Sequence, residues 1–249
     1  RLVEVAFVRS PYAHARIAAI DTSAAEAAPG VVRVLSGAAL AERTSPWMGV
    51  AENQPSLRSV PQYGLAIDRA RWQGEPVVAI AALSRAAAED AAELVGIDWQ
   101  PLPVAADVAT ALDEGAAVLH PELGDNLLFE RAIDNGDVDA AFAAAHTVVE
   151  TALRFGRHTG VPLEARVLVA DFDPGRALLT LHYGGQSPHM AQVLFARHLG
   201  LQERDVRVIA HDVGGSYGIK SHFYGDELAV AAMSVLLGRP VRYFADRLE

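Results

Sequence analysis

Cysteine is absent from the 249-residue chain. Disulfides, cysteine-ligated zinc, iron–sulfur clusters held by this chain and thiol nucleophiles are therefore excluded. A cysteine-free composition also suits a reducing compartment. Long apolar runs are missing too: no stretch approaches the ~18 consecutive apolar residues that a membrane-spanning helix needs. Positive charge is in deficit, with 21 Lys+Arg against 31 Asp+Glu and a formal net charge of −10. That balance argues against nucleic acid as a partner, which calls for a basic patch. What remains is 51% hydrophobic and 21% charged, enough apolar material for a packed core, so a disordered chain is excluded. The length accommodates one large domain or two small ones. The first residue is Arg1 and no signal-peptide pattern follows, so Arg1 is expected to be a cut end.

Local patterns predict alternating strands and helices. A strand is expected over 2–8, ended by Pro11, and a short Ala-rich helix after Asp21-Thr22-Ser23, stopped by Pro29-Gly30. A strand over 31–35 leads into a helix over 37–42 capped by Ser36. Residues 43–68, with Pro46, Gly49, Pro55, Pro61 and Gly64, read as a long irregular loop. A strand over 76–83, a helix over 85–94 capped by Ser84 and stopped by Gly96, and a strand over 97–99 close the first hundred residues. Pro101, Pro103 and Pro121 mark the stretch 100–126 as a linker region. Asp137 is expected to cap a helix through Ala144, followed by long strands over 146–155 and 161–172. After the Asp173-Pro174-Gly175 turn come a strand over 177–183 and a helix capped by Ser187, with Pro188 first and Gly200 last. A strand over 205–210, an apolar helix over 226–237 stopped by Gly238, and a strand from Val241 complete the pattern. A chain stopping in a strand leaves an unpaired edge, which suggests a piece of something longer or one half of an obligate pair.

Two loops carry candidate chemistry. Asp212-Val213-Gly214-Gly215-Ser216-Tyr217-Gly218-Ile219-Lys220-Ser221 joins a predicted strand to a predicted helix. Its glycines let the backbone approach a ligand and adopt positive φ, and consecutive free N–H groups cradle an anion or a polar cofactor. A tight strand-to-helix turn explains the same residues. The loop is not a P-loop, because Ile219 separates Gly218 from Lys220, and it holds no G-x-G-x-x-G. Tyr183-Gly184-Gly185-Gln186-Ser187-Pro188-His189 makes a second such connection, placing the donor-and-acceptor amide of Gln186 just ahead of a helix. If the two preceding strands are neighbours, both loops open on one rim, where ligands bind in layered α/β proteins.

The nine histidines show no H-x-x-x-H or H-E-x-x-H spacing, so metal ligation by them is not expected. His198 is expected on a partly exposed helix face, and His211 and His222 flank the glycine-rich loop. No G-x-S-x-G elbow marks a serine nucleophile. Glu89-Asp90, Asp137 with Asp139, and Asp226-Glu227 read as capping and dipole groups at helix starts or on solvated faces.

The ordered motifs resemble one family. Phe7-Val8-Arg9-Ser10-Pro11-Tyr12-Ala13-His14-Ala15-Arg16-Ile17, Pro29-Gly30-Val31, Gly74-Glu75-Pro76-Val77 and Ala88-Glu89-Asp90-Ala91-Ala92 are similar to a hammerhead domain. Gly136-Asp137-Val138-Asp139-Ala140-Ala141-Phe142, Leu163-Glu164-Ala165-Arg166, Gln186-Ser187-Pro188-His189 and Val213-Gly214-Gly215-Ser216-Tyr217-Gly218 are similar to the domain that follows it. Together they resemble, almost end to end, the large, molybdopterin-binding subunit of the xanthine dehydrogenase / aldehyde oxidase / carbon monoxide dehydrogenase family.

The resemblance implies an α+β fold: an α/β hammerhead domain over 1–105, a linker over 106–130, and the first, incomplete part of the molybdopterin-binding domain over 131–249. It implies a cytoplasmic component of a molybdenum hydroxylase that oxidises an aldehyde or an N-heterocycle with oxygen from water. The implied cofactor is molybdopterin, the cytosine dinucleotide form included, with no direct protein ligand to the metal. Iron–sulfur and FAD groups are implied on separate partner subunits. By the same resemblance Gln186 contacts an oxo ligand of molybdenum, Gly214, Gly215, Ser216, Tyr217 and Gly218 lie beside the cofactor, and Tyr217 is a pocket wall.

Three residues depart from the family pattern. Ser216 replaces a glycine, adding a Cβ where positive φ is expected. Tyr217 replaces a phenylalanine. Ser221 stands where purine-oxidising members carry a substrate-contacting glutamate, which argues against a purine. The family's general-base glutamate lies beyond residue 249, so a second chain or a remaining segment is expected to complete the site. The alternative is a cofactor-free scaffold or interaction module of the same fold. Spacing alone also admits a phosphate- or nucleotide-binding α/β domain.

Overall fold

A computed structural model describes residues 1–49, 56–156 and 158–247. In the first half, β1 (Val3–Arg9) and β2 (Ala15–Asp21) precede α1 (Ser23–Glu26), β3 (Val31–Ser36) and α2 (Gly37–Ala41). After the long loop come β4 (Arg69–Ala70), β5 (Pro76–Ala82), α3 (Arg85–Ala92) and β6 (Gly96–Pro101). Residues 50–55 of that predicted loop lie outside the described residues. The second half holds α4 (Val138–Ala144), β7 (Val167–Asp173), β8 (Leu178–Tyr183), α5 (Pro188–Leu199), β9 (Val206–Ile209), α6 (Gly225–Leu237) and β10 (Val241–Phe244).

Strands from both halves share one seven-stranded sheet, in the order β3-β5-β1-β10-β7-β8-β9. β1 runs parallel to β10 and β8 parallel to β9, while the other neighbours are antiparallel. A small second sheet, β4-β2-β6, belongs to the first half alone. β5 is buried along its whole length, which explains its unbroken apolar sequence. Its Ala79 and Ala81 join a core with Leu228 and Met233 of α6, whereas Val78 and Ile80 pack with Ala91 of α3. α6 is apolar almost all round and has every residue from Asp226 to Ser234 buried. It directly follows the loop that holds Gly214, Gly215 and Gly218.

Local capping chemistry is realised where the sequence placed it. Ser36 accepts from the Ala39 N–H, Ser84 from the Ala87 N–H and Asp137 from the Ala140 N–H. Gly200 and Gly238 end α5 and α6 in the left-handed conformation. Ser187 precedes α5 but makes no side-chain cap.

Four features differ from the sequence reading. β2 and β4 were not expected; they form because β6 and residues 69–70 supply partners on either side of a half-exposed strand. The predicted strand over 146–155 does not form: Val149, Leu153 and Phe155 are exposed, and β propensity stabilises nothing without a neighbour to pair with. The strand predicted over 161–172 begins only at Val167. Finally, β10 is not an edge, because it is paired on both sides, with β1 and β7.

Candidate functional site

β8 and β9 are parallel neighbours, with Leu181 opposite Val208. Each is followed by a loop and then a helix, so the loops 184–187 and 210–224 open at the same end of the sheet. The Gln186 N–H donates to the Lys220 carbonyl at 3.1 Å, and the Tyr183 hydroxyl donates to the His222 carbonyl at 3.3 Å. These two bonds join the loops into one rim. Gly185 is required there, because a Cβ on it would fall on the Tyr183 ring. With its backbone held this way, Gln186 stays exposed, and its side-chain amide has no partner among the described residues.

The glycine-rich loop turns through positive φ at Gly215 (95°), Tyr217 (51°) and Gly218 (87°). Ser216, the residue expected to meet that constraint, escapes it; the strain falls one position later on Tyr217, a residue with a Cβ. The Ser216 hydroxyl instead accepts from the Lys220 N–H at 3.2 Å. The Tyr217 side chain projects outward, at 76% exposure, and its hydroxyl has no partner among the described residues. The backbone N–H groups of Ser216, Tyr217 and Gly218 are likewise without acceptors among the described residues. A Cβ on Gly218 would meet nothing within 4 Å. Three consecutive free donors beside open space, with a free amide across the rim, fit a polar group carrying several oxygens.

Beneath the loop, Lys220 is buried, and its ammonium donates to Glu164 Oε2 at 2.5 Å. The same oxygen accepts the Gly214 N–H at 2.8 Å, and the Glu164 N–H donates to the Gly214 carbonyl at 3.2 Å. A side chain on Gly214 would lie 2.6 Å from Glu164 Cβ, so the contact requires glycine. The hydrogen bond from Lys220, then that from Gly214, hold the Glu164 carboxyl below the ordinary carboxylate range. Because its charge is spent on Glu164, Lys220 is not available to a phosphate.

A second charged cluster lies behind the rim. Arg166 donates to Asp226 at 2.9 and 2.6 Å and to Glu227 at 3.0 Å, and its guanidinium stacks 3.9 Å above the Tyr224 ring. Arg9 donates to Asp226 at 3.1 Å and to the Tyr243 hydroxyl at 2.9 Å. Burial raises the Asp226 carboxyl, but Arg166 and Arg9 outweigh it and hold the group ionised. Burial, reinforced by neighbouring Asp226, pushes Glu227 upward, and its Oε2 has no partner among the described residues. Solvated helix-start carboxylates were expected here; both are buried instead, Asp226 against Arg9 of β1 and against Arg166 just ahead of β7, and Glu227 against Arg166.

The cluster borders a cavity of about 820 Å³ lined also by Trp47, Trp72 and Glu75. Neither Gln186 nor the loop 214–218 lines it. His198 is buried at 5% exposure rather than partly exposed, since the long loop folds over α5 and Ser45 meets its Nδ1 at 3.0 Å. His211 stacks on His182, and His222 packs edge-on against Tyr224. Ser221 donates to the Gly218 carbonyl at 2.8 Å. Among the described residues, no group of three or more His, Asp or Glu converges as a metal site.

The model of the molybdopterin cofactor-binding domain matches residues 119–249, and that of the aldehyde oxidase and xanthine dehydrogenase a/b hammerhead domain matches residues 3–103. The nicotine 6-hydroxylase large subunit of Paenarthrobacter nicotinovorans is 37% identical over 98% of this chain and 30% of its own length. The carbon monoxide dehydrogenase large chain of Afipia carboxidovorans is 36% identical over 98% of this chain and 31% of its own length. The crystal structure of quinoline 2-oxidoreductase from Pseudomonas putida 86 superimposes with a TM-score of 0.93 at 34% identity, covering 98% of this chain and 31% of that one. The chain thus spans about 30% of the length of these relatives.

Proposed function

This chain belongs to the aldehyde oxidase and xanthine dehydrogenase family, and on that premise we propose that it is a component of a molybdopterin-dependent hydroxylase. The observation that carries the reading is the single rim on which Gln186 and the loop 214–218 stand, joined by the Gln186–Lys220 bond. When bound, a molybdenum held by the pterin supplies the two-electron oxidation and transfers oxygen from water to the substrate. This chain's part is to hold and orient that group. Gln186, whose backbone is tied to Lys220, would offer its side-chain amide as a donor to a polar atom of that group. The free N–H groups of Ser216, Tyr217 and Gly218 receive further polar atoms, and the Tyr217 ring walls the substrate side.

An aldehyde or an N-heterocycle is the proposed substrate class; the names of the nicotine and quinoline enzymes support the heterocycle. Ser221 is tied to the Gly218 carbonyl and brings no carboxylate, which supports a non-purine substrate. The molybdopterin is proposed in its plain or cytosine dinucleotide form. With no cysteine here, iron–sulfur clusters would be held by a partner subunit, and FAD is proposed on another. The general base comes from polypeptide beyond this segment. Exposed Ile133, Val149, Leu153, Phe155 and Leu163 support such a covering polypeptide. The division at 1–105, 106–130 and 131–249 and a cytoplasmic location complete the proposal.

Gln186→Ala in the assembled enzyme tests it. Removing this donor from the rim is expected to lower kcat by roughly 10²-fold in the assembled enzyme, while the exposure of Gln186 in this chain leaves stability within about 0.5 kcal/mol. An unchanged kcat contradicts the placement.

A further inference from the structure

Lys220 makes more separate polar contacts in the rim than its place in a glycine-rich loop requires. Its N–H donates to Ser216 Oγ at 3.2 Å, its carbonyl accepts the Gln186 N–H at 3.1 Å, and its ammonium donates to Glu164 Oε2 at 2.5 Å. Glu164 in turn holds both backbone polar groups of Gly214. One residue therefore touches the β8–α5 loop, the turn of the glycine-rich loop, and, through one carboxylate, that loop's start.

We propose that Lys220 is a positioning residue that locks the Gln186 loop and the glycine-rich loop in register, with the Ser216 hydroxyl as its second anchor. The lock is a property of the chain itself; its value for turnover rests on the hydroxylase reading. A buried ammonium is costly unless paired and hydrogen-bonded, so the four-carbon stem of Lys220 is confined to the spot where Glu164 lies. That confinement fixes residue 220, and with it the carbonyl that holds Gln186. The Ser216 hydroxyl adds an acceptor for the Lys220 N–H that a glycine at this position lacks.

The two ends of the ion pair are not equivalent. Lys220 is 1% exposed in its side chain and Glu164 36%. Lys220→Met leaves a carboxylate that water can solvate, whereas Glu164→Gln strands a buried cation. Lys220→Met is thus the cleaner probe, and Ser216→Gly is a milder second probe that leaves the ion pair intact.

Hydrogen exchange in the native assembly reads the lock without reference to turnover. In Lys220→Met the amides of Gln186 and Gly214 are expected to exchange at least tenfold faster, with α5 and α6 unchanged. Ser216→Gly is expected to accelerate Lys220 and, more weakly, Gln186. Unaltered Gln186 exchange in both variants overturns the proposal. A second arm measures kcat: Lys220→Met is expected to lower it about tenfold with KM within twofold, and to cost nothing further in a Gln186→Ala background. A full tenfold loss in that background overturns the view that Lys220 acts through Gln186. Accelerated exchange with unchanged kcat upholds the lock and contradicts its role in turnover, whereas a parent assembly without hydroxylase turnover contradicts the hydroxylase reading alone.

Discussion

Arg166 on the approach to β7 meets Asp226 in the first turn of α6 through two hydrogen bonds of 2.9 and 2.6 Å. The pair ties the sheet to the helix directly behind the rim. Breaking it leaves two buried carboxylates, Asp226 and Glu227, without their main cation. Arg166→Met is expected to destabilise by ~3–5 kcal/mol. Arg166→Lys keeps the charge but loses the two-pronged geometry, and is expected to cost less than Arg166→Met. Denaturant midpoints of the two variants check the order; equal stability to the parent protein contradicts it.

Glu75 makes stability pH-dependent. Burial pushes its carboxyl from an ordinary 4.5 up to about 7, even though the Arg71 N–H donates to it. The folded state therefore binds more protons than the unfolded state between these values, and Glu75 erodes stability as pH rises through that window. The full effect is about 3 kcal/mol. Glu75→Gln removes the titration and keeps an acceptor for Arg71. Its thermal midpoint is expected to exceed the parent's at pH 8 and to match it near pH 5. A gap that widens toward low pH has the wrong sign.

The two kinds of glycine in the rim separate experimentally. At Gly185 a methyl collides with the Tyr183 ring, so Gly185→Ala is expected to cost ~1–3 kcal/mol through overpacking. At Gly218 there is open space and only the positive φ of 87° opposes a side chain, so Gly218→Ala is expected to cost ~1 kcal/mol. Comparing the unfolding of both variants checks the distinction; a Gly218→Ala loss larger than that of Gly185→Ala reverses it.

Much of this was legible locally. Ser36, Ser84 and Asp137 announced their helices, and Gly200 and Gly238 ended theirs, because capping and left-handed turns are decided within a few residues. The shared rim was legible only as a condition, since β8 and β9 are neighbours by tertiary pairing. Three features depended wholly on distance along the chain. Val149, Leu153 and Phe155 have the composition of a strand but no partner. Asp226 and Glu227 look like solvated helix-start acids until Arg9 and Arg166 arrive. Lys220 carries no local sign that Glu164, 56 residues earlier, lies within reach of its ammonium. Arg9, Glu164 and Arg166 each stood in a recognised motif, yet no local signal paired them with their partners.

Tyr217 offers a narrow chemical test. Its hydroxyl has no partner among the described residues, and its backbone strain is independent of that hydroxyl. Tyr217→Phe is expected to leave stability within about 0.5 kcal/mol and turnover close to that of the parent enzyme. A large loss of kcat would assign the hydroxyl to the substrate or to proton transfer.

The most direct measurement is the molybdenum content per mole of this chain in its native assembly, by elemental analysis. A ratio near one is expected if the rim of Gln186 and the loop 214–218 faces a molybdopterin. A ratio near zero, from cells that make the cofactor, contradicts the hydroxylase reading and leaves these loops as strand-to-helix connections.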